Sequence, residues 1–557
     1  MTNAGLQETF RFLAETENET ALGVLIAALD CPYQPTRHHA LRALLERRDA
    51  AGHREIFRRL PNLDEASRAV INERPDGLLR VVADALKKAS RSQCATACDA
   101  LVSFRLYNAL PALVAVLTSS ENPPAELLAR TALKLTEEFY AELSGVDEAP
   151  KRKNQYVIRD HVTESLEDAA RKFHRHRRTE IIEAFLLVAK PKNVTLRQLL
   201  QRDNESAHQP ILQVLCESQQ GGVIRLLLGM LEDPQMPRAM VDVIGDRNDE
   251  KFVENFLRAM SRRPSPTVAQ SLARFDFFPW ARAGNPLLEE FDEQAQQGAV
   301  HVLMASNIDR RELLQVIGFL LLRGKPGARR AAAAALAEFQ CPEADTLSVR
   351  AMHDTDPQVR AALIPQLRPR KIPGALSLLI RMVDIPDEQV HLALRNAMPE
   401  FTFQQFMINF DSMPESLQPL AGHLVRKIDS EAPEQLAALI DGLSPVRRRR
   451  AVQAAGAMGL TRMLESAIIE RVSDEDHLVR AAAAKVLAEC RSMPTWEALR
   501  DAMLDRSVIV QEAAEQSLQQ ISSTLMEHFG ENTPTEEDGE KSEEQEGQER
   551  PLQEANV

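Results

Sequence analysis

The chain has 557 residues, of which 5% are aromatic and only 22 are glycine, and Ala, Leu, Glu, Arg and Gln recur throughout, so composition excludes a strand-rich fold. The formal net charge is −14, but ten acidic residues against Lys541 and Arg550 place −8 of it after Phe529. The −6 left on residues 1–529 argues against general adhesion to nucleic acid or to an anionic membrane.

At the N-terminus, Met1 to Phe12 lacks the basic region and apolar run of a signal peptide, and no window approaches the roughly 18 apolar residues of a membrane span. Cys31, Cys94, Cys98, Cys216, Cys341 and Cys490 are scattered rather than grouped into a disulfide framework. A cytoplasmic location without membrane insertion is therefore expected.

Helix starts can be sought as an apolar or small residue followed by others four and eight positions on, because those three positions share one stripe of a helix. Thr36, Ala40 and Leu44 fit, as do Gln93, Ala97 and Leu101 with Ser90 as N-cap. From Lys151 to Arg178 the chain is basic, with Lys151, Arg152, Lys153, Arg171, Lys172, Arg175, Arg177 and Arg178 among its cations. The next start is Met236, Met240 and Ile244, with Asp233 and Pro234 read as cap and first turn. The segment Phe275-Asp-Phe-Phe-Pro-Trp280 then interrupts the pattern, and Phe277, Phe278 and Trp280 are candidate partner anchors. The alternative is that they plug an irregular junction.

Beyond residue 321 the pattern becomes regular. Gly327 to Phe339 aligns without a gap on Leu478 to Cys490, and the starts Ala328, Val359 and Val390 are 31 residues apart, as are Val479 and Val510. Three residues before Val359, Val390, Val479 and Val510 lie Asp356, Asp387, Asp476 and Ser507, the short oxygen-bearing residues that cap helix N-termini. Arg447, with Ala451, Ala455 and the cap Ser444, supplies another start, although Phe401 to Phe410 breaks the spacing before it. Apolar segments between starts, Ala375–Val383 and Ala498–Leu504, provide the second helix of each hairpin.

This phrase of helical pair, Asp-bearing turn, Val-Arg and Ala-rich second helix resembles the HEAT-repeat family from about Leu321 to Ile521, in its short bacterial form. The resemblance implies an all-α helical-hairpin solenoid in which Asp356 with Arg360, and Asp476 with Arg480, tie neighbouring repeats together. The expected organisation is degenerate repeats over 1–320, HEAT-like repeats over 321–529 and a disordered acidic tail over 530–557.

Catalytic and metal motifs are missing. Cys94 with Cys98, His174 with His176, and His38 with His39 lack the ligand spacing of a zinc site, and His353-Asp354 falls in a capping turn. No phosphate loop or nucleophile elbow occurs. No cofactor is expected. The function expected is a non-enzymatic scaffold with protein partners of unspecified identity. Candidate contacts are Arg171, Lys172, Arg175, Arg177, Arg178, the aromatic anchors and Arg447, Arg448, Arg449 and Arg450. Two rivals stand beside it: a nucleic-acid-associated regulator using the basic clusters, and a HEAT-like enzyme such as a DNA glycosylase, with Asp276 near Trp280, or a phycobilin lyase subunit.

Overall fold

The computed structural model describes residues 3–88, 91–119, 124–145 and 155–530. Ser90, Lys151, Arg152, Lys153 and the acidic tail beyond Gly530 lie outside the described residues. Among the described residues there are 34 α-helices and no strand. The chain forms two compact units, Met1–Ala351 and Met352–Val557.

In the second unit, Pro357–Leu367, Glu388–Ala397, Gln418–Ile428, Pro445–Ala457, His477–Val486 and Val508–Gly530 form one row, each helix packed on the next. Ala432–Ile440, Glu465–Arg471 and Met493–Ala502 form a second row, each paired with the first-row helix that follows it. The result is the expected all-α stack of helical hairpins. Its core is the predicted stripe: Val359, Leu363, Leu367, Val390, Leu394, Met398, Val479, Ala483 and Leu487 are each fully buried. A hairpin alone could not cover this face, so burial of one repeat requires the next.

Asp356, Asp387 and Asp476 cap their helices as expected, each accepting a hydrogen bond from the amide two residues on. At the Arg447 start, Ala451 and Ala455 are buried, but Arg447 itself is exposed and Ser444 makes no side-chain cap bond. The irregular segment sends three rings into the core. Phe403, Phe406 and Phe410 are buried, and the buried Asp429 carboxylate accepts from the Phe403 amide at 3.2 Å.

The first unit repeats the plan with less regular spacing. Gln34–Arg47 packs on Asn3–Glu15 and on Glu65–Asn72, and Glu250–Ala259, Glu293–Ala305 and Pro326–Ala335 form a continuous row near the unit's end. Ala40, Leu44, Ala97, Leu101, Met236, Met240 and Ile244 are buried as predicted, whereas Gln93 is exposed. The cap at Asp233 is corrected: the helix begins at Arg238 after Pro237, and Asp233 accepts from Gln235 in the preceding turn. A second proline at Pro237 moves the start, because it fits the end of the turn and the helix can propagate only beyond it.

Helices in this row approach closely where side chains vanish. A Cβ on Gly298 would lie 1.8 Å from the Leu257 carbonyl oxygen, and one on Gly422 in the second unit would lie 2.5 Å from that of Ala457. Only glycine permits either crossing.

Candidate partner-binding surface

Ties between neighbouring repeats decide which arginines remain available. Arg480 donates from Nε and Nη2 to the two oxygens of Asp505 at 2.8 and 3.0 Å, and from Nη1 to the carbonyls of Asp474 and Glu475. One repeat earlier, Arg448 donates to Asp474 at 2.7 and 2.8 Å and to the carbonyls of Gly442 and Leu443. Each carboxylate also accepts from its own turn, from the Asp476 amide at 3.0 Å and the Ser507 amide at 2.8 Å. The Asp that ties repeats is thus Asp474 or Asp505, two residues before the position expected from the family phrase. Asp476 caps its own helix instead.

Burial by itself would push the Asp474 carboxyl up, but the Arg448 guanidinium and the Asp476 amide outweigh it and hold the group below the usual range. Arg480 holds Asp505 down in the same way.

These bonds correct the reading of Arg447 to Arg450 as one binding patch. Arg448 is 7% exposed and committed to Asp474, and Arg450 pairs with Asp411 and donates to the Met407 carbonyl. Arg449 is half-buried, and of the four only Arg447 is exposed. In the Arg171–Arg178 cluster, Arg171 donates to Thr195 and Lys172 pairs with Asp168 at 2.6 Å. Arg175, Arg177 and Arg178 make no ion pair among the described residues. His176 is buried, bonded through Nε2 to the Ala169 carbonyl and accepting at Nδ1 from the Arg178 amide, so it fixes the turn.

The aromatic anchors separate as well. Phe278 and Trp280 are 1% exposed and stack at 5.1 Å, with Phe275 and Phe256 completing the cluster, so these two candidates belong to the core. Phe277 remains 46% exposed, with the Arg282 guanidinium 5.9 Å from its ring. Trp280 therefore cannot stack a nucleobase beside Asp276, the arrangement on which the glycosylase reading rested.

Cys94 and Cys98 are buried, and burial pushes the Cys98 thiol up to about 12, which keeps it protonated. Among the described residues no three His, Cys, Asp or Glu side chains gather in a metal-binding arrangement. His353 is exposed, and Asp354 accepts from the Asp356 amide in the capping turn.

One depression was announced by no sequence motif. A groove of about 1160 Å³ lies along Arg310–Arg323 and Pro342–Ala351 in the first unit. Leu314, Phe319, Leu322, Phe339 and Leu347 supply its apolar lining, and Gly318 lets Leu347 approach, since a Cβ there would meet Leu347 Cδ1 at 2.9 Å. Arg310, Arg311, Arg323 and Arg350 border it against Glu338 and Glu343, and the Arg310 guanidinium sits 5.1 Å from the Phe339 ring centre. No helix among the described residues is long and apolar enough to cross a membrane.

Residues 432–519 match the family model for HEAT repeats, the stretch that holds both Arg–Asp ties. No curated protein matches the chain. Among solved structures, the chain is similar to importin beta at 12% identity, covering 94% of this chain and 82% of that one, with a TM-score of 0.24. It is also similar to a chain of the Kap95:Nup1 complex, at 11% identity over 95% and 84% of the two chains with a TM-score of 0.23. UNC-45 from Drosophila melanogaster matches at 11% identity over 94% and 78%, with a TM-score of 0.22.

Proposed function

We propose that this HEAT-repeat protein is a non-enzymatic scaffold whose principal docking site is the groove along Arg310–Arg323 and Pro342–Ala351. The carrying observation is the groove's size and lining. Small-molecule pockets run to about 300–1,000 Å³, and at about 1160 Å³ this groove exceeds that range. A length of polypeptide fills it better than a metabolite does.

Four guanidiniums, of which Arg323 also approaches Glu289 at 3.9 Å, stand against Glu338 and Glu343 around an apolar lining and select a segment that is acidic and carries a bulky apolar side chain. The carboxylates of such a segment meet the bordering arginines while its apolar residue covers Leu322, which is 36% exposed. Arginine at the border of an apolar surface is the usual composition of an interface hot spot. The nucleic-acid reading is weaker, because the two basic clusters on which it depends are partly consumed by internal bonds.

Quantitative co-purification from the native cell tests the reading. Leu322→Glu combined with Arg350→Glu is expected to lose the partners that the wild-type chain retains, while Val194→Glu, at an exposed site elsewhere in the unit, keeps them. Equal recovery with both variants would remove the groove from the account.

A further inference from the structure

A second depression, of about 690 Å³, lies in the first unit beside Ala50–Arg59, Leu79–Lys88 and Arg91–Ser103. Arg48, Arg54, Arg58 and Arg80 line it, against Glu55 and Asp84. Glu55 is already spent, since it pairs with Arg58 at 2.9 Å and with Arg59. Arg48, Arg54 and Arg80 make no ion pair among the described residues, so three guanidiniums face one carboxylate, Asp84.

His53 lines the hollow at 6% exposure, but its ring is turned into the fold, towards the Leu44 and Leu45 backbone and Gly77. Neighbouring unpaired guanidiniums repel one another. That repulsion falls when an anion with several acceptor oxygens occupies the space. Ser92 adds a hydroxyl donor, the Thr96 hydroxyl being given to the Ser92 carbonyl, while Phe57 and Val81 offer an apolar wall.

We propose that this hollow binds a small organic molecule carrying two or more phosphate groups, with Arg48, Arg54 and Arg80 on the phosphates and the organic part against Phe57 and Val81. Guanidinium forks match phosphate oxygens in pairs, which a lone monovalent anion would not exploit. The volume lies within the range of small-molecule sites and far exceeds what inorganic phosphate needs. This site is independent of the groove proposed for a polypeptide.

Isothermal titration of the full chain with adenosine triphosphate, tripolyphosphate and inorganic phosphate, at constant ionic strength, tests the assignment. Adenosine triphosphate and tripolyphosphate are expected to bind and inorganic phosphate at least tenfold more weakly. Arg54→Gln with Arg80→Gln is expected to weaken the first two by tenfold or more, whereas Arg175→Gln with Arg177→Gln leaves them within twofold. Circular dichroism establishes that each variant retains its helices. Absence of binding by both polyphosphates, or equal weakening by the two pairs of substitutions, overturns the proposal.

Discussion

Arg480 and Asp505, 25 residues apart, form a two-pronged pair at 2.8 and 3.0 Å that Arg448 and Asp474 reproduce, 26 residues apart, one repeat earlier. The two pairs are joined, because Arg480 also donates to the backbone carbonyl of Asp474 at 2.8 Å. Three consecutive interrepeat turns are thus linked by one polar chain, while the Ala-rich stripes beside it exclude water.

Removing one member of such a pair leaves a buried charge behind. Arg448→Ala is expected to destabilise the folded chain by roughly 3–5 kcal/mol, because Asp474 is 2% exposed in its side chain. Arg447→Ala, one residue away on the exposed surface, should change stability by no more than about 0.5 kcal/mol. Urea unfolding of the two variants measures the difference, and similar midpoints would show that Arg448 is not bound as described.

The ties also fix a pH dependence. Asp474 and Asp505 titrate below the ordinary carboxylate range when folded and return to about 3.9 when unfolded. Between those values the unfolded chain binds more protons, so the stability they contribute is complete above about pH 4 and is lost as pH falls through the folded values. Asp474→Asn with Asp505→Asn should therefore be less stable than wild type at neutral pH, with the gap closing in acid. A gap that persists unchanged at about pH 2 would contradict this.

Helix crossings give a prediction of opposite signs. Gly298→Ala is expected to cost about 1–3 kcal/mol, since its Cβ would strike the Leu257 backbone, which cannot rotate away. Gly23→Ala, on an exposed helix position with nothing within 4 Å, should stabilise by about 0.5–1 kcal/mol. Thermal melts of the two variants should move in opposite directions.

The aromatic segment offers a third contrast. Phe278→Ala opens a cavity beside Trp280 and should cost about 3–5 kcal/mol, whereas Phe277→Ala leaves stability nearly unchanged. Denaturant midpoints read both. A large loss at Phe277 would mean that its ring is packed rather than presented.

Much of this fold was legible because burial and capping are local rules. Val479, Ala483 and Leu487 announce a stripe by spacing, and Asp476 announces a cap by its place before the helix. The interrepeat acid was not legible at Asp474, because the partner Arg448 lies 26 residues away and nothing local marks it. Nor could four consecutive arginines from Arg447 to Arg450 share a surface: successive helix residues turn by about 100°, which carries Arg448 inward and leaves Arg447 outside. The groove escaped for the converse reason. Arg310, Arg323 and Arg350 are spread over two helices, and only hairpin stacking brings them around Leu322.

Site-specific photo-crosslinking in the native cell tests the central claim most directly. A photoreactive residue at position 322 is expected to capture a defined protein through an acidic segment, and the same residue at position 194 is expected to capture none of it. Capture of the same protein from both positions, or of nucleic acid alone from position 322, would contradict a polypeptide-binding groove.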